Sequence, residues 1–271
     1  MNEGYLALNL VRDGGGRTRL AGRRQCYPLT TTAVLPIEDE DGALIYVQNA
    51  AGSIFGGDRL TMDITVGPKA HLCLSTPAAT RLQGGTLSIQ ETSISVAEGG
   101  FIESIPDFLI PHAGARHRQV TRLSLDRNAG AILIDTIAPG RVARGEWHDY
   151  TFVSYRLIAT VEGREILIDA ASFAPEEAPS SLAGTLGGEG YVGTLFALGP
   201  QTDYAPLAKE LSECLEHMPG VFAGAAPLVS GYGAVARFLA NDAPRLREAT
   251  HSAWDTARTH LRDRPARILR K

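Results

Sequence analysis

The chain is short of almost every residue pattern that marks a catalytic or metal-holding protein. Three cysteines, Cys26, Cys73 and Cys214, stand far apart with no CxxC pair, which excludes a disulfide framework and a tight zinc cluster and leaves small buried hydrophobes as their expected role. No GxxxxGK[ST], GxSxG or HExxH occurs, and the glycine-rich run Gly52–Arg59 lacks the lysine and hydroxyl of a phosphate loop. The seven histidines are scattered and are expected to be non-ligating. Aromatic residues make up only 7% of the chain. The opening Met1-Asn2-Glu3-Gly4 has no basic segment, and no apolar run nears the ~20 residues of a membrane helix. A cytoplasmic protein with no membrane partner is expected. Lys+Arg 26 against Asp+Glu 30 gives a formal net charge of −4, with no long run of one sign before the last residues, so nucleic acid is not an expected partner.

What is present is strand after strand. At 271 residues the chain is long for one domain, yet sheet-rich folds often reach this size. Tyr5–Val11 alternates apolar and polar residues and runs into Asp13-Gly14-Gly15-Gly16-Arg17. Leu44–Val47 is an apolar strand, and Leu60, Met62, Ile64 and Val66 alternate with Thr61, Asp63 and Thr65. Between these two lies Ala51–Leu60, where glycines at 52, 56 and 57 allow a sharp bend that delivers Asp58 to the next strand. A strand follows Gly67-Pro68-Lys69. Over Thr86–Val96 the apolar phase slips from odd (Leu87, Ile89) to even positions (Ile94, Val96), and a bulge near Glu91-Thr92 would restore one buried face.

Phe101–Pro111 is extended between prolines, and Glu103 shares a face with Phe101 and Ile105, so its carboxylate needs a partner or a wet cavity. His112–Asp126 gives another strand. Ala131–Ile137 is apolar on both faces, as an interior strand would be, apart from Asp135. Tyr150–Val161 and Arg164–Phe173 form a hairpin at Glu162-Gly163. Residues 174–190 are rich in Pro, Ser and Gly and are expected as loop; Tyr191–Leu198 reads as the last strand.

The period then changes. Leu207, Leu211 and Leu215 mark a helix ending before Pro219-Gly220. A second helix starts near Asn241-Asp242, with Leu246, Ala249, Ala253, Trp254, Ala257 and Leu261 as its buried stripe and Arg245, Arg247, Arg258 and Arg262 on its other side. A mainly β architecture with appended, mostly C-terminal helices follows, with 1–200 strand-rich and 201–271 helical. Short apolar strands leave edges that a partner would have to cover.

The chemistry-bearing candidates are carboxylates: Asp58, Asp63, Glu103, Glu146 and, less favoured, Asp135. Hard oxygen donors around a polar cavity suit transient binding of a divalent cation, since tight nickel or zinc sites use His and Cys. Paired carboxylates across a cleft could instead serve a carbohydrate-active enzyme, and a metal-free β adaptor would use none of them. Two basic patches, Arg17 and Arg19 with Arg23 and Arg24, and Arg264, Arg267 and Arg270 near the end, could seat acidic partners.

Four ordered stretches together carry a family resemblance: Ala51-Gly-Ser-Ile-Phe-Gly-Gly-Asp-Arg-Leu60, Ser75-Thr-Pro-Ala-Ala-Thr-Arg81, Glu103-Ser-Ile-Pro106 and Gly140-Arg-Val-Ala-Arg-Gly-Glu146. With Tyr5-Leu6, Thr18-Arg19-Leu20, Trp254 and Pro265-Ala266-Arg267, they make nearly the whole chain, 1–271, resemble the urease accessory protein family UreD, called UreH in some bacteria. Departures are Ala51-Gly52 where the family commonly has paired glycines, and Arg81 and Gln83 in place of a lysine-tyrosine pairing. The resemblance implies a β-helix-like stack of many short strands and a non-enzymatic scaffold. Such a scaffold would bind apo-urease and, through UreF, recruit the GTPase UreG. It would hold no cofactor tightly and pass Ni2+ transiently along an internal route, for which Asp58, Asp63, Glu103, Glu146 and Asp135 are the candidate lining residues.

Overall fold

The computed structural model describes residues 1–37, 41–175 and 190–269. Its strands, β1–β18 in chain order, form two sheets laid face to face. The seven-stranded sheet runs β15 (Arg164–Phe173), β14 (Phe152–Val161), β12 (Arg116–Leu125), β9 (Ser88–Val96), β6 (Arg59–Val66), β1 (Glu3–Arg12), β2 (Thr18–Cys26). The eleven-stranded sheet runs β17 (Val221–Pro227), β18 (Gly233–Ala240), β16 (Tyr191–Leu198), β13 (Gly130–Ile137), β10 (Phe101–Ile105), β7 (His71–Ser75), β5 (Ala43–Asn49), β3 (Leu29–Thr31). The short β4 (Leu35–Pro36), β8 (Thr80–Leu82) and β11 (Leu109–Pro111) are attached to it. From β5 to β14 the main strands alternate between the sheets, and each of β6, β7, β9, β10, β12, β13 and β14 lies parallel to the strand one coil earlier. This is the β-helix-like stack, mainly β, that was expected.

The coils turn differently at their two edges. On one edge the crossings are tight, at Gly67–Lys69, Ala97–Gly100 and Asp126–Ala129, with Ala97 N donating to Val66 O (2.8 Å) from coil to coil. On the other edge the crossings are longer loops that also hydrogen-bond coil to coil: Ile54 N to Arg81 O (2.8 Å), Thr80 N to Phe108 O (2.8 Å) and Ala138 N to Leu109 O (2.9 Å). Backbone bonding of this kind needs close approach. A Cβ on Gly56 would stand 2.8 Å from Thr86 N, and one on Gly84 2.7 Å from Ala113 O, which gives these glycines a steric reason to be there.

Two apolar cores result. One lies between the sheets, built from the inward residues of β1, β6, β9, β12, β14 and their counterparts. The other lies between the outer face of the eleven-stranded sheet and two helices, α1 (Ala205–Glu216) and α2 (Ala243–Arg262). Helix α2 starts at Asp242, whose carboxylate accepts from Arg245 N (2.8 Å), with Pro244 in the first turn. None of the helices is long and apolar enough to cross a membrane, among the described residues.

Several expectations need correction. Tyr191–Leu198 is not the last strand, because β17 and β18 follow it; their sequences VFAGAAP and GAVARFLA are rich in Ala and Gly, which carry little strand propensity. No bulge occurs in β9, which pairs in unbroken register with β6 and β12. Its even residues face inward throughout, and the inward ones at the loop-edge end, Ser88, Gln90 and Thr92, are polar. Arg258 does not sit on the solvent side of its helix but is 1% exposed. Cys26 is exposed on edge strand β2, where Arg19, Arg23 and Arg24 also stand. Most of the Pro/Ser/Gly-rich stretch, residues 176–189, lies outside the described residues, as does Arg270.

Candidate functional site

Two of the polar inward residues of β9, Gln90 and Thr92, form part of one wall of a cavity of about 410 Å³ between the sheets. Gln90 and Thr92 from β9, Gln119 and Thr121 from β12, and Tyr155 from β14 face Ser104 of β10 and Asp135 of β13 across it; at the loop edge it reaches Gly52, Ser53 and Pro77–Arg81. The two-residue period of these strands places this set. On β12 and β13 the inward positions are odd, so Gln119, Thr121 and Asp135 project between the sheets while their neighbours project outward.

Asp135 is the cavity's distinctive group. Gln119 Nε2 donates to its Oδ1 (3.0 Å), and among the described residues it makes no ion pair. Burial pushes its carboxyl up to about 6; the Gln119 hydrogen bond pulls the other way, and the charge of Asp169 adds to the rise. Asp169 itself is held by an ion pair to Arg237 that ties β15 to β18 across the gap between the sheets. Burial, followed by the negative charge of Asp135, raises the Tyr155 hydroxyl. The arrangement offers one carboxylate among amide and hydroxyl oxygens, a weak set for a hard or borderline cation.

The other candidate carboxylates do not meet it. Asp58 is fully buried and serves its own loop: Oδ1 accepts from Asn2 N (2.7 Å) and Asn2 Nδ2 (3.0 Å), and Oδ2 from Phe55 N (2.9 Å). Asp63 lies on the outward face of β6, where it accepts from the Tyr5 hydroxyl (2.8 Å). Glu146 is paired with Arg141, and the guanidinium hydrogen bond holds its carboxyl down at about 2.

Glu103 points outward from β10 into the helix-covered core. Trp254 Nε1 donates to Oε2 (2.6 Å), Arg258 Nε lies 3.0 Å from both oxygens, and His71 Nε2 lies 2.6 Å from Oε1. Burial alone would raise its carboxyl, but the bonds from His71 and Trp254 and the charge of Arg258 outweigh it and leave it below the usual range. No two of the five face each other across a cleft, so the paired-carboxylate geometry of a glycoside hydrolase is not built by them. Among the described residues no group of three His, Cys, Asp or Glu is placed to hold a metal ion.

Of the basic candidates, Arg17 and Arg264 are exposed, Arg19 is paired with Asp13 (2.9 Å), and Arg267 is half-buried. Sequence reasoning missed Gln90, Thr92, Gln119, Thr121 and Tyr155, and the phase slip along Thr86–Val96 was the signal that could have found the first two.

Two of the four ordered sequence stretches, Ala51–Leu60 and Ser75–Arg81, contribute residues to the cavity's loop edge, and Glu103–Pro106 adds Ser104 and Pro106 to its wall; Gly140–Glu146 does not line it and is closed on itself by the Arg141–Glu146 pair. The family model described as UreD urease accessory protein matches residues 2–271. The chain belongs to the UreD family. Similar proteins include the urease accessory protein UreD of Haloarcula marismortui, 32% identical over 274 residues that cover 99% of this chain and 90% of the relative. That of Mycolicibacterium gilvum is 30% identical, covering 95% and 94%. UreD 2 of Streptomyces griseus is 31% identical, covering 95% and 90%. All three family relatives are named as accessory proteins.

Proposed function

We propose that this chain serves urease maturation as a non-catalytic scaffold. It binds apo-urease, engages UreF and through it the GTPase UreG, and gives nickel, the cargo, a passage through its interior in the cytoplasm. The observation that carries the reading is the polar cavity between the sheets of a UreD-family chain, with Asp135 inside it and residues of Ala51–Leu60 and Ser75–Arg81 at its edge. A passage must bind weakly enough to release, and a lone carboxylate among neutral oxygens does that better than a Cys/His cage. Of the original five lining candidates this reading keeps Asp135; Asp58, Asp63, Glu103 and Glu146 act in holding the fold.

The test is co-expression with apo-urease, UreF and UreG, followed by size exclusion and nickel analysis of the urease. Co-elution of the chain with apo-urease, and nickel-poor urease in its absence, are the expected results. Urease that acquires its full nickel without this chain would overturn the role.

A further inference from the structure

Among the described residues, no element covers the outer face of the seven-stranded sheet at β9, β12 and β14. Helices α1 and α2 pack on β13, β16, β17 and β18 of the other sheet, and nothing described packs on β9, β12 and β14 from outside. Parallel sheets are usually covered on both faces, so this one is exceptional in what it presents to solvent. It presents arginine. The outward residues of β12 are Arg116, Arg118, Val120, Arg122 and Ser124, and those of β14 include Ser154, Arg156 and Ile158. Arg118 pairs in register with Ser154, Val120 with Arg156 and Arg122 with Ile158, so Arg156 lies diagonally between Arg118 and Arg122.

With about 3.3 Å per residue along a strand and about 4.8 Å between strands, the four guanidinium stems occupy a stripe roughly 20 Å long and two strands wide. The side chains of Arg116, Arg118 and Arg156 have no hydrogen-bond or ion-pair partner among the described residues; Arg122 has one loose contact, 3.9 Å to Glu91. Half-buried Val120 and Ile158 lie among them, Ile89 on β9 flanks Arg118, and Ile168 on β15, 46% exposed, extends the apolar seam.

Like charges crowded on a flat face repel one another, and a chain with formal charge −4 has carboxylates in hand to neutralise them. Arginine interleaved with aliphatic side chains is the composition of a protein interface, and its planar fork recognises carboxylates two bonds at a time. We propose that this face, centred on Arg116, Arg118, Arg122 and Arg156, docks a carboxylate-rich protein surface. The two basic patches expected from the sequence are separate from it: one lies on and before edge strand β2, the other follows α2.

The test compares wild type with Arg118→Glu/Arg122→Glu/Arg156→Glu and with the neutral triple Gln variant, after thermal melts establish that each folds. Binding is read by anisotropy against fluorescent poly-L-glutamate and against duplex DNA, and by co-elution with apo-urease; only this last probe rests on the proposed role. Wild type should bind polyglutamate in preference to DNA. The Glu variant should lose at least about tenfold in affinity at ~0.1 M salt, the Gln variant less, and all differences should shrink near 1 M salt. Preference for DNA, equal binding by all three proteins, or no salt-sensitive binding to polyglutamate overturns the docking face. If wild type holds polyglutamate through this face but ignores apo-urease, the urease role fails and the face stands. If wild type and the Glu variant hold apo-urease equally, the role stands and the face is not its docking surface.

Discussion

Glu103 on β10, the third coil strand of its sheet, and Arg258 on the last helix, 155 residues apart, meet in a fully buried contact in which Arg258 Nε lies 3.0 Å from each carboxylate oxygen. The contact fixes α2 to the β-helix, and Trp254 and His71 complete the shell around the carboxylate. Removing one partner of such a pair strands the other charge in the core. Arg258→Ala should therefore cost about 3–5 kcal/mol, read as a fall in melting temperature on the order of 10 °C. The pH sign follows from the depressed Glu103 carboxyl: its contribution is present above the unfolded value and is lost as pH falls through the lower folded value. In Arg258→Ala the acid limb of the stability curve should move to higher pH. An unchanged acid limb would show that Arg258 does not hold Glu103 ionised.

Asp58 makes a parallel case in the glycine turn. Its carboxylate accepts from Asn2 N and Phe55 N, joining the chain's start to the loop. Asp58→Ala leaves both amides without their acceptor, at about 1–3 kcal/mol each where water cannot replace it. Asp58→Asn keeps one acceptor oxygen and should recover part of the loss. Chemical denaturation of both variants checks the order wild type, Asn, Ala; an Ala variant as stable as wild type would free Asp58 from a structural role.

The strand-rich body, the hairpin at Glu162-Gly163 and both helices were legible because two-residue and 3.6-residue periods are local signals. What was not local was lost. Arg258 reads as a solvent-face residue on α2 because nothing nearby in sequence shows that Glu103, on a strand far upstream, waits for it. The same blindness made Glu103 a channel candidate. The polar inward face of β9 looked like a bulge because an inward residue is assumed apolar; Gln90 and Thr92 break that assumption where the sheets enclose a cavity, and Ser88 where its hydroxyl meets buried His117. Strands β17 and β18 escaped notice because alanine and glycine give them neither a strand's propensity nor its contrast. The glycine turn was legible as backbone freedom, whereas the contact of Gly56 with the next coil was not.

That contact separates two glycines of the same loop. Gly52 has φ +77° and open space around its Cβ position, whereas Gly56 would push a Cβ to 2.8 Å from the backbone of Thr86. Gly52→Ala should cost about 1 kcal/mol for the left-handed conformation alone. Gly56→Ala must move one coil's loop against the next and should cost more, about 1–3 kcal/mol. Melting curves of the two variants give the order directly, and hydrogen exchange at Ile54 and Gln83, whose amides bond between these loops, should rise only in Gly56→Ala.

Asp135 allows stability and passage to be read in one variant. Its carboxyl titrates at about 6 against an ordinary 3.8, so between those values the folded chain keeps a proton that the unfolded chain has released, and stability falls as pH rises through the window. Asp135→Asn is uncharged throughout and can still accept from Gln119. It should match wild type near pH 4 and exceed it above pH 6 by about 1–2 kcal/mol, less than the full shift implies because the carboxylate faces a cavity that water can enter. On the proposed role the same variant should assemble with apo-urease normally yet load it with less nickel. A destabilised Asn variant at pH 7 would mean that the ionised carboxylate has a favourable partner in the fold, and full nickel loading would remove Asp135 from the passage.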